Sequence, residues 1–386
     1  MNALTFKRVG FVVWVLLSSV AGSAWGQVQY TVTDLGNLFP PGGSSQAFGI
    51  NNSGQVVGNA NNGSGVTYAF LYSGGSMQNL GGLPGGGNSG AAGINASGQV
   101  VGEAAVSGGA GNAFSYSGGT MQNLNDLIAP GSGLTLASAN GVNANGQVVG
   151  EAYGAATGGG LQAFLYSGGS VQLMNNLILP NSGYALRYAT GINDNGQVAG
   201  YLQYSAGPPY YGAFHAFIYS GGTVQDLDTL GGVYSFATGI NDSGQVCGYG
   251  PNASGQTDAF LYTSSSPLQD LGTLGGTTSQ ANGINNLGQV VGYVYTSSGA
   301  QDAFLYSGGS MLDLNSLIPS NPGWTLEEAT GISENGKICG YGVNPSGQTD
   351  AFLLTPNPKP EPSTLALLGA GAVCLLAYAW RRRRAG

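Results

Sequence analysis

The chain has 386 residues and a formal net charge of −8; only 7% of its residues are charged, while 71 are glycine. So few charges exclude an ordinary cytoplasmic enzyme surface, and 42% apolar with 10% aromatic residues excludes a disordered chain. Arg187 and Lys337 are the only cations between residues 27 and 358, against sixteen carboxylates. Such a body repels phosphate backbones, so no nucleic-acid partner is expected.

Residues 1–26 carry Lys7 and Arg8, an apolar run from Val9 to Val20, and small residues from Ala21 to Ala24. This is the pattern of a secretory signal peptide, with cleavage expected near Ala24 or Gly26. A retained membrane anchor is the alternative reading of the same run.

From residue 27 the chain repeats itself. The motif GINxxGQVVG begins at Gly49, Gly93, Gly141, Gly191, Gly239, Gly283 and Gly331, with spacings of 44, 48, 50, 48, 44 and 48 residues. A second motif, AFLY or a variant, places phenylalanine at Phe70, Phe114, Phe164, Phe217, Phe260, Phe304 and Phe352. A third, DLG or a variant, places leucine at Leu35, Leu80, Leu124, Leu173, Leu227, Leu271 and Leu314. Seven copies at this period signify a repeat architecture.

Turn residues divide each repeat into four short strands, as around Asp242, Ser243 and Gly244 or at the Ser73–Gly75 hairpin. Adjacent apolar residues such as Val56 and Val57 require strands covered on both faces, and a blade packed between two neighbours supplies that cover. The first strand pairs alanine or threonine with glycine, which suits a crowded position beside a central channel. The period and strand count predict an all-β, seven-bladed β-propeller of four-stranded antiparallel blades over residues 27–356.

Chain order sharpens this expectation. The first motif after residue 27 is a lone DLG and the last before the tail is AFLL, so the seventh repeat lacks a fourth strand. Pairing Tyr30–Leu35 with Asp350–Thr355 closes the ring and removes an open edge. A β-solenoid is the runner-up, but it gives no reason for the offset.

These motifs, with His215, Ala216 and Phe217 and the DLGTLGG stretch at Asp270–Gly276, resemble the HAF repeat family of probable extracellular proteins. The other six copies depart from His at the first position. The resemblance implies location and architecture, and it implies no reaction.

Candidate chemistry must come from polar residues that break the repeat. His215 is the only histidine, and no nucleophile or orienting carboxylate can be attached to it from sequence. Asp258, Asp302 and Asp350 occupy its slot and read as residues bonding the local backbone. Asn193–Gly196 and Asn241–Gly244 resemble fragments of a calcium loop, but they lack its terminal glutamate and read better as tight turns. Cys247 and Cys339 replace valine in the core motif and read as small buried hydrophobes, not a disulfide. Glu103 and Glu151 share one slot with Tyr201, Tyr249, Tyr293 and Tyr341, so one side of the ring differs chemically from the other. Long links before Gly141, Gly191 and Gly331, and an insertion in the fourth repeat, carry Arg187, Tyr188, Tyr210, Tyr211, Trp324, Glu327 and Glu328. Exposed aromatics on such loops would stack against sugar rings, and loop packing is the plain alternative. No cofactor and no metal are expected.

The chain closes with Pro360, Glu361 and Pro362 in a linker over 357–362. A predominantly apolar segment of eighteen residues follows at 363–380, then Arg381, Arg382, Arg383 and Arg384 within the basic tail 381–386. Eighteen residues span roughly 27 Å as a helix, about one hydrocarbon core, and the arginines would stay cytoplasmic. The three-part order resembles the PEP-CTERM sorting signal, which implies recognition by an exosortase-type machinery in bacteria that make exopolysaccharide. The sequence therefore leads us to expect an exported surface or matrix protein, first anchored in the inner membrane. It would act as a non-enzymatic scaffold or adhesion module for exopolysaccharide or surface proteins. A propeller-type polysaccharide lyase or glycoside hydrolase is the alternative.

Overall fold

The computed structural model describes residues 28–358 apart from 41, 180–181, 206–211, 265 and 320–322. The expected leader, the PEP linker, the apolar segment and the arginine tail lie outside the described residues. Among those described, no helix is long and apolar enough to cross a membrane.

One repeat shows why the chain folds as it does. Strand β1 (Tyr30–Asp34) precedes the first full unit, which is β2 (Ser44–Ile50), β3 (Val56–Asn61), β4 (Thr67–Ser73) and β5 (Ser76–Asn79), hydrogen-bonded in chain order. The next five units repeat this meander, and the chain forms seven four-stranded sheets. In the last sheet the order is β1, Thr349–Pro356, Ile338–Val343, Thr325–Ile332, so the N-terminal strand completes the C-terminal blade as the sequence predicted. The Leu35 amide donates to the Ala351 carbonyl at 3.0 Å.

The core lies between blades, because both faces of each sheet are apolar. Val101, Ala113 and Leu124 of the second blade pack with Leu136, Val148 and Phe164 of the third. All seven motif phenylalanines are fully buried, each worth about 1.5–3 kcal/mol of apolar burial. One motif position is corrected here. In the third blade Phe164 faces Leu173, as Phe114 faces Asn123 in the second, so Met174 and not Leu173 takes the slot of Leu124. Met174 is fully buried, and its unbranched thioether fills the gap that leucine fills elsewhere.

The inner strands crowd together, which explains the motif glycine. A Cβ on Gly283 would lie 3.0 Å from the Thr330 carbonyl and 3.3 Å from the Cα of Gly331 in the next blade.

The motif asparagine ties the blades into a belt. Asn193 Oδ1 accepts from the Gln197 amide, closing its own turn, while Asn193 Nδ2 donates to Gln197 Oε1 and, at 2.8 Å, to the Asn241 carbonyl of the next blade. Asn51, Asn95, Asn143, Asn241 and Asn285 reach the following blade in the same way. The seventh blade has Ser333 in this position, and the first blade is reached instead by Thr330 Oγ1 on the Ala47 carbonyl and by Glu334 and Asn335 on Asn52.

The links between blades come in two forms. Short links use a serine: Ser89 Oγ accepts from the Ala69 amide and donates to the Gly81 carbonyl, and Ser45, Ser235 and Ser279 act alike. The three long links form a 3₁₀ turn at Leu124–Leu127, Met174–Leu177 and Leu314–Leu317. There an asparagine takes over, as where Asn315 accepts from the Leu326 amide and donates to its carbonyl.

Two outcomes are expected from denaturant unfolding. Asn193→Ala strands a buried carbonyl of the next blade and should cost about 2–4 kcal/mol. Ser333→Asn supplies the belt's missing donor and should stabilise by about 1 kcal/mol; a neutral result would show the belt carries no net stability at that joint.

Candidate functional site

The slot after the GQVVG glycine lies on the second strand of every blade, directly opposite an inner-strand residue. The opposed pairs run Asn59 with Gln46, Glu103 with Gly90, Glu151 with Ser138, Tyr201 with Tyr188, Tyr249 with Phe236, Tyr293 with Gln280, and Tyr341 with Glu328. Directly opposed residues share a sheet face, so these side chains form a collar near the channel axis. A cavity of about 440 Å³ opens there, lined by Phe48, Asn59, Glu103, Ser138, Asn140, Asn282 and Glu328 among others. A second cavity of about 200 Å³ lies at the belt, lined by the motif isoleucines and asparagines.

Acid and aromatic residues divide the collar. Glu151 accepts from Asn140 Nδ2 at 2.8 Å and Ser138 Oγ at 3.0 Å. Glu328 accepts from Asn282 Nδ2 at 2.9 Å, Gln301 Nε2 at 3.3 Å and the Tyr341 hydroxyl at 2.5 Å. Every one of these donors is neutral. Burial pushes both carboxyls above the usual range, and neighbouring Glu103 and Glu327 push the same way. On the aromatic arc, Tyr188 stacks on Tyr201 with ring centres 4.4 Å apart, and Phe236 meets Tyr201 edge-on at 4.7 Å and lies tilted against Tyr249 at 5.6 Å. Burial raises the Tyr201 and Tyr293 phenols, the latter to about 12, so the collar tyrosines stay neutral and able to donate.

Of the residues singled out in the long links, the collar gathers Tyr188 and Glu328. Arg187 and Glu327 sit one residue earlier, at register shifts in the inner strands. Arg187 Nε bonds Gln203 Oε1 and its Nη1 bonds the Leu161 carbonyl. Trp324 is a correction: it is 6% exposed and meets Phe352 edge-on at 6.3 Å, so it is core and presents no stacking face. Tyr210 and Tyr211 lie outside the described residues.

The remaining polar candidates serve the fold. His215 is buried, with Nδ1 3.0 Å from Asp226 Oδ2, and Tyr204 bonds the same carboxylate. Burial alone would raise Asp226, but hydrogen bonds from His215, Tyr204 and the Asp228 amide outweigh it and hold the carboxyl below its ordinary value. Asp258 and Asp350 bond asparagine side chains (Asn252; Asn37 and Asn344), and Asn315 bonds Asp302. These bonds replace the backbone bonds expected for that slot. In the calcium-like turns, Asp194 and Asp242 accept backbone amides from the preceding blade, Ala144 and Asp194 respectively. Cys247 and Cys339 are unpaired and buried, which pushes their thiols up to about 11 and about 12.

Comparison with known proteins adds two family matches. A family model described as a protein of unknown function, DUF3466, matches residues 228–350. A model of the PEP-CTERM protein-sorting motif matches residues 360–384. The chain carries a sorting motif of exported proteins. That motif implies recognition by exosortase-type sorting machinery. No curated protein matches the chain.

Among solved structures, a puromycin-hydrolyzing peptidase of Mycobacterium tuberculosis is 12% identical with a TM-score of 0.51, covering 82% of this chain and 53% of the peptidase. The acylaminoacyl peptidase of Pyrococcus horikoshii is 10% identical with a TM-score of 0.49, covering 86% of this chain and 55% of the peptidase. The β-propeller domain of the Trilobed protease of Pyrococcus furiosus is 8% identical with a TM-score of 0.48, covering 83% of this chain and all of that one. The chain thus spans about half the length of the two peptidases, and at these identities the likeness is one of fold alone.

The carboxyls fix a pH dependence. Glu151, Glu328, Asp258, Asp302 and Asp350 are all raised by burial, so each holds its proton more tightly folded than unfolded. Their contribution grows on acidification through the folded values and is lost as pH rises. Asp226 is lowered and opposes this only below its ordinary value. The thermal midpoint at about pH 5 should therefore exceed that at about pH 7.5, and calorimetry showing the reverse would refute the burial of these acids.

Proposed function

We propose that this chain is an exported cell-surface or extracellular-matrix protein that works as a non-enzymatic binding module, gripping a glycan at the collar. The observation that carries this reading is where the repeat breaks its own symmetry. Asparagine, glutamine, serine and glycine of the motifs are engaged in turns and blade joints, whereas the collar slot varies from asparagine and acid to tyrosine around the ring, and its Asn59 and Glu103 line an open cavity. Tyrosine faces stack on the apolar faces of sugar rings, and asparagine and carboxylate oxygens bond their hydroxyls. The resemblance to extracellular HAF repeats and the sorting motif supports the destination, with the apolar segment 363–380 as a transient inner-membrane anchor.

The binding reading is preferred to a lyase or hydrolase because Glu151 and Glu328, the collar carboxyls that could serve as acid or base, are each held as acceptors by neutral donors, and the histidine and the described thiols are engaged elsewhere. His215 is locked on Asp226, and both thiols are buried and protonated. The test uses residues 28–358, whose span 31–355 forms a compact unit of its own. Passed over immobilised exopolysaccharide of its host, it should be retained, and Tyr201→Ala should cut retention at least tenfold, about 1.4 kcal/mol. New reducing ends or unsaturated products after incubation would reject the non-enzymatic reading; capture of surface proteins without glycan retention would reject the glycan.

A further inference from the structure

We infer that a cleft between the second and third blades, apart from the collar, is a second sugar site, and that it takes a neutral hexopyranose chain. The inference uses none of the collar residues.

A cavity of about 720 Å³ opens where the long link crosses from the outer strand of the second blade to the first strand of the third. That volume lies within the range of ligand clefts, roughly 300–1,000 Å³. Asn112 reaches it from the start of strand Gly111–Ser117, Asp126 from the 3₁₀ turn Leu124–Leu127, and Tyr153 from the end of strand Val148–Tyr153. Pro130 and Leu134 of the link add apolar surface.

Comparison between blades separates what serves the fold from what is left over. Asn112 fills the slot of His215, and in the other six blades the side chain there is engaged. Tyr68 meets the Phe39 ring, Gln162 donates to the Thr157 carbonyl, His215 lies on Asp226, and Asp258, Asp302 and Asp350 bond asparagines. Among the described residues the Asn112 side chain has no such partner. Asn315 seals the slot in the sixth blade by bonding Asp302, but its counterpart Asn125 donates instead to Asn123 Oδ1 and to the Leu136 carbonyl. The amide of Asn112 is therefore left at the cleft wall with its hydrogen-bonding capacity unspent.

Tyr153 departs from the repeat in the same place. It stands opposite Thr135, and its counterparts beside the other two long links are Gln203, which accepts from Arg187, and Val343. Tyr295 holds the same slot beside a short link and packs edge-on to Tyr293. Tyr153 is 37% exposed and lines the cleft.

These groups match a sugar. A phenol ring stacks on the apolar face of a pyranose, an amide both donates to and accepts from hydroxyls, and a carboxylate accepts from a neighbouring hydroxyl. Charge then narrows the class: the lining holds no lysine or arginine and one carboxylate, Asp126. A uronic-acid or sulfated residue would meet like charge with no counter-ion. Together with the collar, such a cleft lets one body hold a long chain at two points, which raises avidity without new contacts.

The test reads the cleft directly. In residues 28–358 labelled with nitrogen-15, the Asn112 side-chain amide is assigned by its disappearance in Asn112→Ala. It should shift on titration with a β-1,4-linked glucose or mannose hexamer and stay in place with an oligoguluronate. Tyr153→Ala should move the midpoint of that titration at least about tenfold higher, Tyr153→Phe should keep it within about twofold, and Tyr201→Ala should leave it unchanged. Unchanged thermal midpoints confirm that the variants fold. An Asn112 amide that responds to neither neutral hexamer, or a titration indifferent to Tyr153→Ala, overturns the cleft and leaves the collar to its own retention test. An equal response to guluronate overturns the neutral preference, and a response abolished by Tyr201→Ala overturns the independence of the two sites.

Discussion

A side-chain amide that serves two blades at once is the interaction on which the rest of this structure depends. In six of the seven motif copies the asparagine closes its own turn through Oδ1 and delivers Nδ2 to a carbonyl of the next blade. A blade without that neighbour would leave a buried carbonyl unsatisfied and two apolar faces wet, so one blade cannot be stable alone. Local turn chemistry and ring assembly are thus the same set of bonds. The recurrence of the motif follows from this double duty: in six of the seven copies glutamine supplies the turn's second clasp, and the paired apolar residues after it bury on opposite faces.

Much of the fold was legible because it is written seven times. The seven Phe positions, the circular offset of the motifs and the paired valines led to a closed ring of two-sided blades, and the pairing of β1 with Thr349–Pro356 bears this out. What escaped the sequence was side-chain reach. Met174 displaced Leu173 because only the register opposite Phe164 says which residue turns inward. Trp324 looked like a loop aromatic, yet the long link folds it against Phe352. The double role of asparagine in turn and belt was invisible, since a turn asparagine reads the same whether or not its amide finds a second partner.

The site was half legible for the same reason. Glu103, Glu151 and the four tyrosines stood out as one slot that changes character around the ring. That Tyr188 and Glu328 stand opposite that slot needed the strand register, which carries a shift just before each of them. Repetition fixes the scaffold and thereby isolates the positions where it is relaxed. Those positions converge on the axis because every blade contributes the same slot to it, so a few substitutions in separate repeats build one composite surface.

The seam has a consequence for how such a chain can come to be folded. Leu35 bonds Ala351 across on the order of 300 intervening residues, so the earliest segment synthesised has no partner until the latest one arrives. The circle therefore cannot lock until both ends of the chain are present. Until then its first strand is a bare template for any passing strand edge, and quality control amounts to whether the two ends of one molecule find each other before they find another copy.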